Sequence, residues 1–286
     1  MADWVWEAWT MPWYPDAFSG PALARIYGGD RPAVVPYFDG LLAGEPDALI
    51  RSFAGEPELH HPVRGRVKGA RAFAAFVSDT HAWLEQRHAA VDDIEHVVTE
   101  RRGFEEVVLH LDGQSGRIAI PVTIIADRRP DRRIHELRVY YSTWPLTGRS
   151  ASRPPLLQPD TELRPPDVVA GHQHALVAGD IDAILAAFEP DGYAREPAGD
   201  QYLHRGPDRL REFYRRWLSN ASGVSLEQCA LTDGPHACAL EYNVVRPGQA
   251  GLPPEAGLAV YVRGTSGKLA AARIYDAGDP PLRSTA

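Results

Sequence analysis

Two kinds of hydrophobic spacing divide the chain into helical and strand-like segments. Apolar residues first recur every three to four positions, as in amphipathic helices, and then form alternating or continuous runs, as in strands. Helices are predicted at about 33–43, from Pro46 and at 70–86, and again at 167–178, after Asp180 and at 207–219. Strands are predicted at EEVVLHLD, GRIAIPVTIIAD and RIHELRVYY in the first half, and at ACALEYNVV, AGLAVYVRG and KLAAARIYD in the second. Helices followed by a multi-strand sheet predict an α+β fold.

Residues at the ends of these segments support the assignment. Pro46 suits the first turn of a helix, and Asp180 suits an N-cap. The residues before Pro62 and Pro197 are predicted to be extended, because the residue before a proline avoids the helical region.

The two halves of the chain are an internal repeat. AGEPDALIRSF (43–53) aligns with AGDIDAILAAF (178–188), and the same offset of 135 residues places Pro62 on Pro197. GARAFAAF (69–76) matches GPDRLREF (206–213) after two inserted residues, and RVYYS matches RIYDA near the ends. A Pro-, Ser- and Arg-rich stretch between the copies reads as a linker. We therefore predict a Trp-rich arm (1–32), a first domain (33–147), a linker (148–166) and a second domain (167–286).

Composition limits the location and the partners of the protein. The chain has 286 residues, a formal net charge of −8 and 44% hydrophobic residues, with no uninterrupted apolar run long enough for a membrane span. It has no secretory-signal pattern at its start and only two cysteines, Cys229 and Cys238. We expect a cytoplasmic protein with reduced thiols. We expect neither nucleic acid nor a membrane as a partner, because no basic stripe is present.

Residues 178–213, AGDIDAILAAFEPDGYAREPAGDQYLHRGPDRLREF, carry a specific resemblance. They combine a Gly-Asp helix entry, an acid-Pro pair and a glycine before the third helix. Each copy, roughly 33–145 and 167–278, resembles a SnoaL-like or ketosteroid isomerase-like domain of the nuclear transport factor two superfamily. The resemblance implies a curved, mostly antiparallel sheet wrapped around three helices, with an apolar pocket for a small hydrophobic substrate and no cofactor. It also implies that the copies pack together as an intramolecular pseudo-dimer, and a homodimer is possible.

The resemblance assigns candidate site residues position by position. The general base precedes the proline of the acid-Pro pair, which gives His61 in copy one and Glu196 in copy two. An oxyanion donor lies seven residues before the glycine that ends the first helix, which gives Tyr37 and His172. The isomerases place a second donor, an aspartate, on the strand before the last hairpin, and neither PVTIIAD nor LAVYVRG has an aspartate at the corresponding position. Pocket-facing residues of the last strand are expected at His135, Leu137, Val139 and Tyr141, and at Ala270, Ala272, Ile274 and Asp276.

Metal binding is not predicted. Adjacent residues of an extended segment, such as His60 and His61, point to opposite faces and cannot grip one ion. His81, Glu85 and His88 share a helical face, but such triples are more often solvated surface. The N-terminal tryptophans Trp4, Trp6, Trp9 and Trp13 are expected to pack over an opening.

These residues favour an acid-base enzyme without a cofactor, such as a polyketide-type cyclase, an isomerase or an epoxide hydrolase. Copy two is favoured as the site of chemistry because Glu196 keeps the acid-Pro pair, with His172 and Asp276 as possible companions. His61 with Tyr37 offers a second site, since an imidazole titrates near neutral pH without tuning. The alternative is a module that binds small molecules or assembles complexes without chemistry.

Overall fold

A computed structural model describes residues 37–114, 116–130, 133–218, 225–245, 254–276 and 280–282. The chain divides into two compact units, Met1–Tyr140 and Tyr141–Ala286. The predicted arm, 1–32, lies outside the described residues. No helix in the described part of the chain is long and apolar enough to cross a membrane.

The described residues of the first unit form three helices and six strands in the order that the sequence predicts. They are α1 (Tyr37–Ala43), α2 (Pro46–Arg51), β1 (Glu58–His61), β2 (Gly65–Lys68), α3 (Ala70–Glu85), β3 (Ala90–Val98), β4 (Arg102–Gly113), β5 (Gly116–Arg128) and β6 (Ile134–Tyr140).

The second unit repeats this order after a short extra helix, α4 (Trp144–Thr147). Its elements are α5 (Asp167–Ala178), α6 (Ile181–Ala186), β7 (Phe188–Arg195), a 3-10 turn (Asp200–Tyr202), β8 (Leu203–Arg205), α7 (Gly206–Trp217), β9 (Ser225–Asp233), β10 (Ala237–Val245), β11 (Glu255–Arg263) and β12 (Leu269–Ile274).

Both units have the same sheet. The strand orders are β2-β1-β6-β5-β4-β3 and β8-β7-β12-β11-β10-β9, and all neighbours are antiparallel except the pairs β1/β6 and β7/β12. Leu59 pairs with Leu137 in the first unit, and Ala194 pairs with Ala272 in the second. Both partners shift by the offset of the sequence repeat (194 − 59 and 272 − 137 are each 135). The α+β class and the mostly antiparallel sheets are therefore confirmed.

Helix ends in the second unit follow the capping residues of the sequence. Gly179 ends α5 with φ of 68°, a left-handed conformation that glycine adopts without strain. The side chain of Asp180 accepts a hydrogen bond from the N–H of Ala183 at 3.0 Å and so caps α6. In the first unit Glu45 holds the same position without a side-chain bond, and Pro46 begins α2.

The core of the second unit lies between its helices and one face of its sheet. Val169, Ile184 and Phe213 come from α5, α6 and α7, and they pack with sheet residues such as Leu240 and Ala272. Ala194, near the end of β7, belongs to the same cluster, so the packing of the three helices also holds this end of β7 in place.

Residues 148–166 contain no helix or strand, but they hydrogen-bond to the second unit's sheet. The N–H of Ala256 donates to the carbonyl of Arg153, and the Asn243 side chain donates to the carbonyl of Leu157. The N–H of Asp160 donates to the carbonyl of Gln228. The segment therefore lies against β9, β10 and β11 without regular secondary structure.

Candidate active site

A tight turn places Glu196 at the end of β7. The N–H of Gly199 donates to the carbonyl of Glu196, with Pro197 at the second position of the turn, which suits its fixed φ. Gly199 has φ of 105°, which a side chain would oppose. The chain then returns as β8, antiparallel to β7, with Ala194 opposite His204.

This register brings Glu196 and His204 to the same face of the sheet. Alternate residues of a strand share a face, and so do cross-strand partners, so Glu196, Ala194 and His204 point the same way. Ala194 belongs to the core cluster, and its methyl group leaves room for the His204 ring. His204 Nε2 lies 2.8 Å from Glu196 Oε1, and both residues are buried. We call this pair the Glu196–His204 dyad.

The rest of the dyad's surroundings hold both groups in place. The backbone N–H of Leu282 donates to Glu196 Oε2 at 2.8 Å. The His204 ring stacks on Phe213, with ring centroids 4.5 Å apart. Within the described residues, the Nδ1 atom of His204 has no hydrogen-bond partner. His204 thus keeps one ring nitrogen for another molecule.

A cavity of about 340 Å³ lies beside the dyad. Its walls are the hairpin residues 201–205, Arg209 from α7 and Leu282. This volume falls at the lower end of the range for small-molecule pockets, roughly 300–1,000 Å³.

His172 lies in the interior, on α5, among aromatic rings. Its Nε2 atom is 3.2 Å from the hydroxyl of Tyr214, and its ring contacts Phe188 and Tyr261. The Nδ1 atom is buried without a hydrogen-bond partner in the described part of the chain. Tyr214 in turn packs on Phe213, with centroids 4.9 Å apart, so a line of ring contacts joins His172 to the dyad.

Burial fixes the protonation states of this interior group. It lowers the pKa of His172 to about 3, so the imidazole is neutral near pH 7. Burial also raises the pKa of Tyr214 well above its ordinary value, and the neighbouring Tyr261 adds to this shift. His172 therefore acts only as a neutral donor or acceptor.

Asp276 follows β12 and is half-buried. The Tyr242 hydroxyl donates to its Oδ2 at 3.4 Å, and its charge contributes to raising the pKa of Tyr261, which burial raises most. Glu196 and His172, by contrast, have other hydrogen-bond partners, His204 and Tyr214. Asp276 is thus placed beside the interior tyrosines, and its role as a companion of Glu196 stays a prediction.

The corresponding residues of the first unit have a different environment. His61 Nδ1 accepts hydrogen bonds from the N–H groups of Val63 and Arg64, at 3.3 and 3.1 Å, which close the turn after β1. A neutral ring then carries its proton on Nε2, so its lone pair is committed to the backbone. Tyr37 is buried on α1 against Phe38. The Nδ1 atom of His61 therefore supports the turn after β1, whereas its counterpart Glu196 pairs with a histidine.

The predicted pocket residues of the last strands differ in exposure. Leu137 and Ile274 are buried, as are Val139 and Ala272. His135 is exposed, with Arg129 3.5 Å from its Nδ1 atom, and Tyr141 is half-buried. Burial of Tyr141 raises the pKa of its hydroxyl. Substrate contact by these residues stays a prediction.

One group of potential metal ligands occurs among the described residues, namely Glu58, His60 and Glu136. Arg66 and Lys68 already bind the Glu58 carboxylate at 2.6 and 2.9 Å, and Arg66 above all lowers its pKa to about 2. Arg138 similarly lies 2.7 Å from Glu136. The group is an ion-pair network, because its carboxylates are neutralised by neighbouring cations.

The helical triple of the first unit does not converge either. His81 Nδ1 lies 3.0 Å from the carbonyl of Leu41, and His88 Nδ1 lies 2.8 Å from Asp112. Helix α3 ends at Glu85, so His88 is outside the face that the spacing predicts.

Sequence reasoning missed three residues at the dyad: His204, Arg209 and Leu282. The hairpin motif EPAGDQYLH contains a signal for the first, since a turn after the acid-Pro pair returns the chain beside it. The approach of Leu282 to Glu196 had no local signal in the sequence.

Comparison with known families supports the resemblance. Residues 169–271 match the family model described as a SnoaL-like domain. The second unit is therefore a SnoaL-like domain, and the first unit repeats its order of elements. A search of curated proteins found no match to the chain.

Several solved structures are similar to single parts of the chain. A SnoaL-like protein of unknown function from Burkholderia thailandensis is 23% identical, with 38% of this chain and 92% of that chain covered and a TM-score of 0.33. A candidate polyketide cyclase from Sinorhizobium meliloti is 20% identical, with 38% and 94% covered and a TM-score of 0.33. The epoxide hydrolase/cyclase-like enzyme SalBIII, of pyran ring formation in polyether salinomycin, is 15% identical, with 37% and 84% covered and a TM-score of 0.31.

Proposed function

We propose that the second unit is an acid-base enzyme for a small, mostly apolar metabolite and that the Glu196–His204 dyad moves the proton. Cyclisation, isomerisation and epoxide hydrolysis are the reactions that such a group can serve. The observation that carries the proposal is a buried carboxylate 2.8 Å from an imidazole that lines a cavity.

The dyad makes His204 Nδ1 the atom that exchanges protons with a ligand. When the Glu196 carboxylate is ionised, it accepts the Nε2–H of His204, which fixes the tautomer and leaves the Nδ1 lone pair as the base. After Nδ1 takes a proton, the nearby carboxylate stabilises the imidazolium, as in other carboxylate-histidine pairs. Glu196 then orients His204 instead of acting on the substrate itself.

The interior residues supply neutral hydrogen-bond donors. His172 and Tyr214 are both buried and uncharged near pH 7. A substrate oxygen that reaches the His172 ring would satisfy the buried Nδ1 atom, which otherwise costs about 1–3 kcal/mol.

One observation favours the alternative, a binding module without chemistry. The N–H of Leu282 and the His204 ring occupy both oxygens of Glu196, so the carboxylate also stabilises the fold. In that case the charge of Glu196 matters for stability and for ligand binding, and the wild-type protein binds its ligand without converting it.

Substitution of the dyad residues distinguishes an acid-base enzyme from a binding module. The assay first requires mass spectrometry to identify the small molecule that co-purifies with the protein, which then serves as the substrate. Glu196→Gln keeps the shape of the side chain but removes its charge, and it should lower turnover by about 10²–10⁴-fold. His204→Gln should do the same. His174→Gln is the matched control, because His174 is exposed on α5.

The first unit provides the second comparison. His61→Gln should cost less than Glu196→Gln, because His61 Nδ1 is committed to its turn. Loss of turnover in His61→Gln with intact turnover in Glu196→Gln would move the chemistry to copy one. If neither substitution changed turnover, the chemistry would lie with other residues. If the wild-type protein bound the co-purified molecule without converting it, the binding module would be the better description.

A further inference from the structure

We infer that the ligand of the cavity beside the dyad is an anion, a small apolar carboxylate whose charged group binds Arg209. This inference rests on the proposed function, since it names the substrate class for the same site. It starts from the charges that line the cavity.

Arg209 is a cation without a carboxylate partner. It lies in the first turn of α7, it is exposed, and it lines the cavity. Within the described residues it forms no ion pair or side-chain hydrogen bond. Arg211, two residues further along the same helix, instead binds Asp182 at 2.7 Å. A guanidinium group with open donors binds carboxylates in a two-pronged geometry that an ammonium group cannot match.

The described residues of the cavity wall include a second cation and no carboxylate. Arg205 also lines it, and this guanidinium is fixed by the Tyr193 ring at 4.7 Å and by the carbonyl of Asp191. Neither contact neutralises its charge. The one carboxylate at the dyad, Glu196, is held by His204 and the Leu282 amide. Among the described residues that line the cavity, two are cations and none is a carboxylate, although the whole chain carries a net charge of −8.

Part of the wall is apolar. Leu203, the Tyr202 ring and the side chain of Leu282 line the cavity together with the polar Gln201, and Leu282 also packs against the core. A cavity of about 340 Å³ has room for a ligand of one or two rings. A carboxylate on Arg209 would place the rest of such a ligand beside the His204 ring.

The first unit serves as an internal comparison. The match of 69–76 to 206–213 places Ala72 at the position of Arg209, and Val67 at the position of His204. The anion site and the dyad are thus confined to the same copy, which links the two functions.

The test is the binding of 2-naphthoate and of its neutral analogue, 2-naphthylmethanol, to the full chain. Binding is followed by naphthalene fluorescence, and the site by the amide chemical shift of Leu282. We expect wild-type protein to prefer 2-naphthoate by about tenfold or more, as for one charge-assisted contact. Arg209→Gln should abolish the preference, and Arg211→Gln should retain it. Both residues are on the surface of α7, so neither substitution should affect folding.

Each result decides the inference. The inference would be overturned if the protein bound the acid and the alcohol equally well or did not detectably bind 2-naphthoate. It would also be overturned if Arg209→Gln and Arg211→Gln had equal effects. Its failure is distinct from failure of the proposed function. The Glu196→Gln variant should lose turnover but still bind 2-naphthoate. If this variant kept its turnover while the wild-type protein clearly preferred 2-naphthoate to the alcohol, only the acid-base proposal would be overturned.

Discussion

Replacement of His172 by phenylalanine should remove a pH dependence from the stability of the second unit. His172 is buried, and its pKa falls from an ordinary 6.5 to about 3 because burial disfavours the charged ring. The unfolded chain therefore binds a proton below pH 6.5 that the folded chain does not bind. Stability falls as the pH drops through this window, by about 1.4 kcal/mol per pH unit at full slope.

The magnitude is measured as the stability gap between wild type and His172→Phe. Near pH 7.5 wild type should be more stable by about 1–3 kcal/mol, since the variant leaves the buried Tyr214 hydroxyl without its partner. Between about pH 7.5 and about pH 4.5 the gap should shrink by about 2–3 kcal/mol, because only wild type has this imidazole to protonate on unfolding.

Because the chain has two units, a single free energy of unfolding is not defined for the whole chain. The stability of the second unit is therefore measured by hydrogen exchange of peptides from 167–178 in the intact chain. His174→Gln is the control, since His174 is exposed on the same helix and its replacement leaves the buried ring of His172 in place. A constant gap between wild type and His172→Phe would refute the argument that burial holds this ring neutral.

Two other predictions follow from local contacts. Asp180→Ala should destabilise α6 by about 1 kcal/mol, as judged by hydrogen exchange of 181–186, because it removes the cap on Ala183. Glu45→Ala, at the same position of the first unit, should cost little, since Glu45 makes no capping bond. Metal analysis of the purified protein should find no stoichiometric zinc, because cations already neutralise Glu58 and Glu136. A content near one equivalent of zinc per chain would contradict this prediction.

The sequence predicted the helices and strands that have local signals, such as capping residues and regular hydrophobic spacing. Asp180 and the glycine before it marked the start of α6, and the predicted span 167–178 is the span of α5. The sequence did not predict β3, AVDDIEHVV, because polar residues such as Asp92 and Glu95 interrupt the apolar alternation that is typical of a strand. Pairing with β4 makes this segment a strand, and such pairing is a property of the folded sheet.

The site was predicted in part for the same reason. Glu196 was found because the acid-Pro pair is a local motif. His204 was not, because its approach to Glu196 depends on the register of the β7–β8 hairpin. Arg209 has a role only when the cavity beside it is known, since a charged residue in a helix is ordinarily solvated surface.

The contacts of residues 150–160 determine where the chain can be cut for expression in pieces. A fragment that begins at Asp167 would lack Arg153, Leu157 and Asp160. The amide of Ala256 and the side chain of Asn243 would then lose their acceptors, and β9, β10 and β11 would lose their contacts with this segment. A fragment that begins at Tyr141 retains all three contacts. The segment that separates the copies in sequence is therefore, for protein engineering, the first part of the second domain.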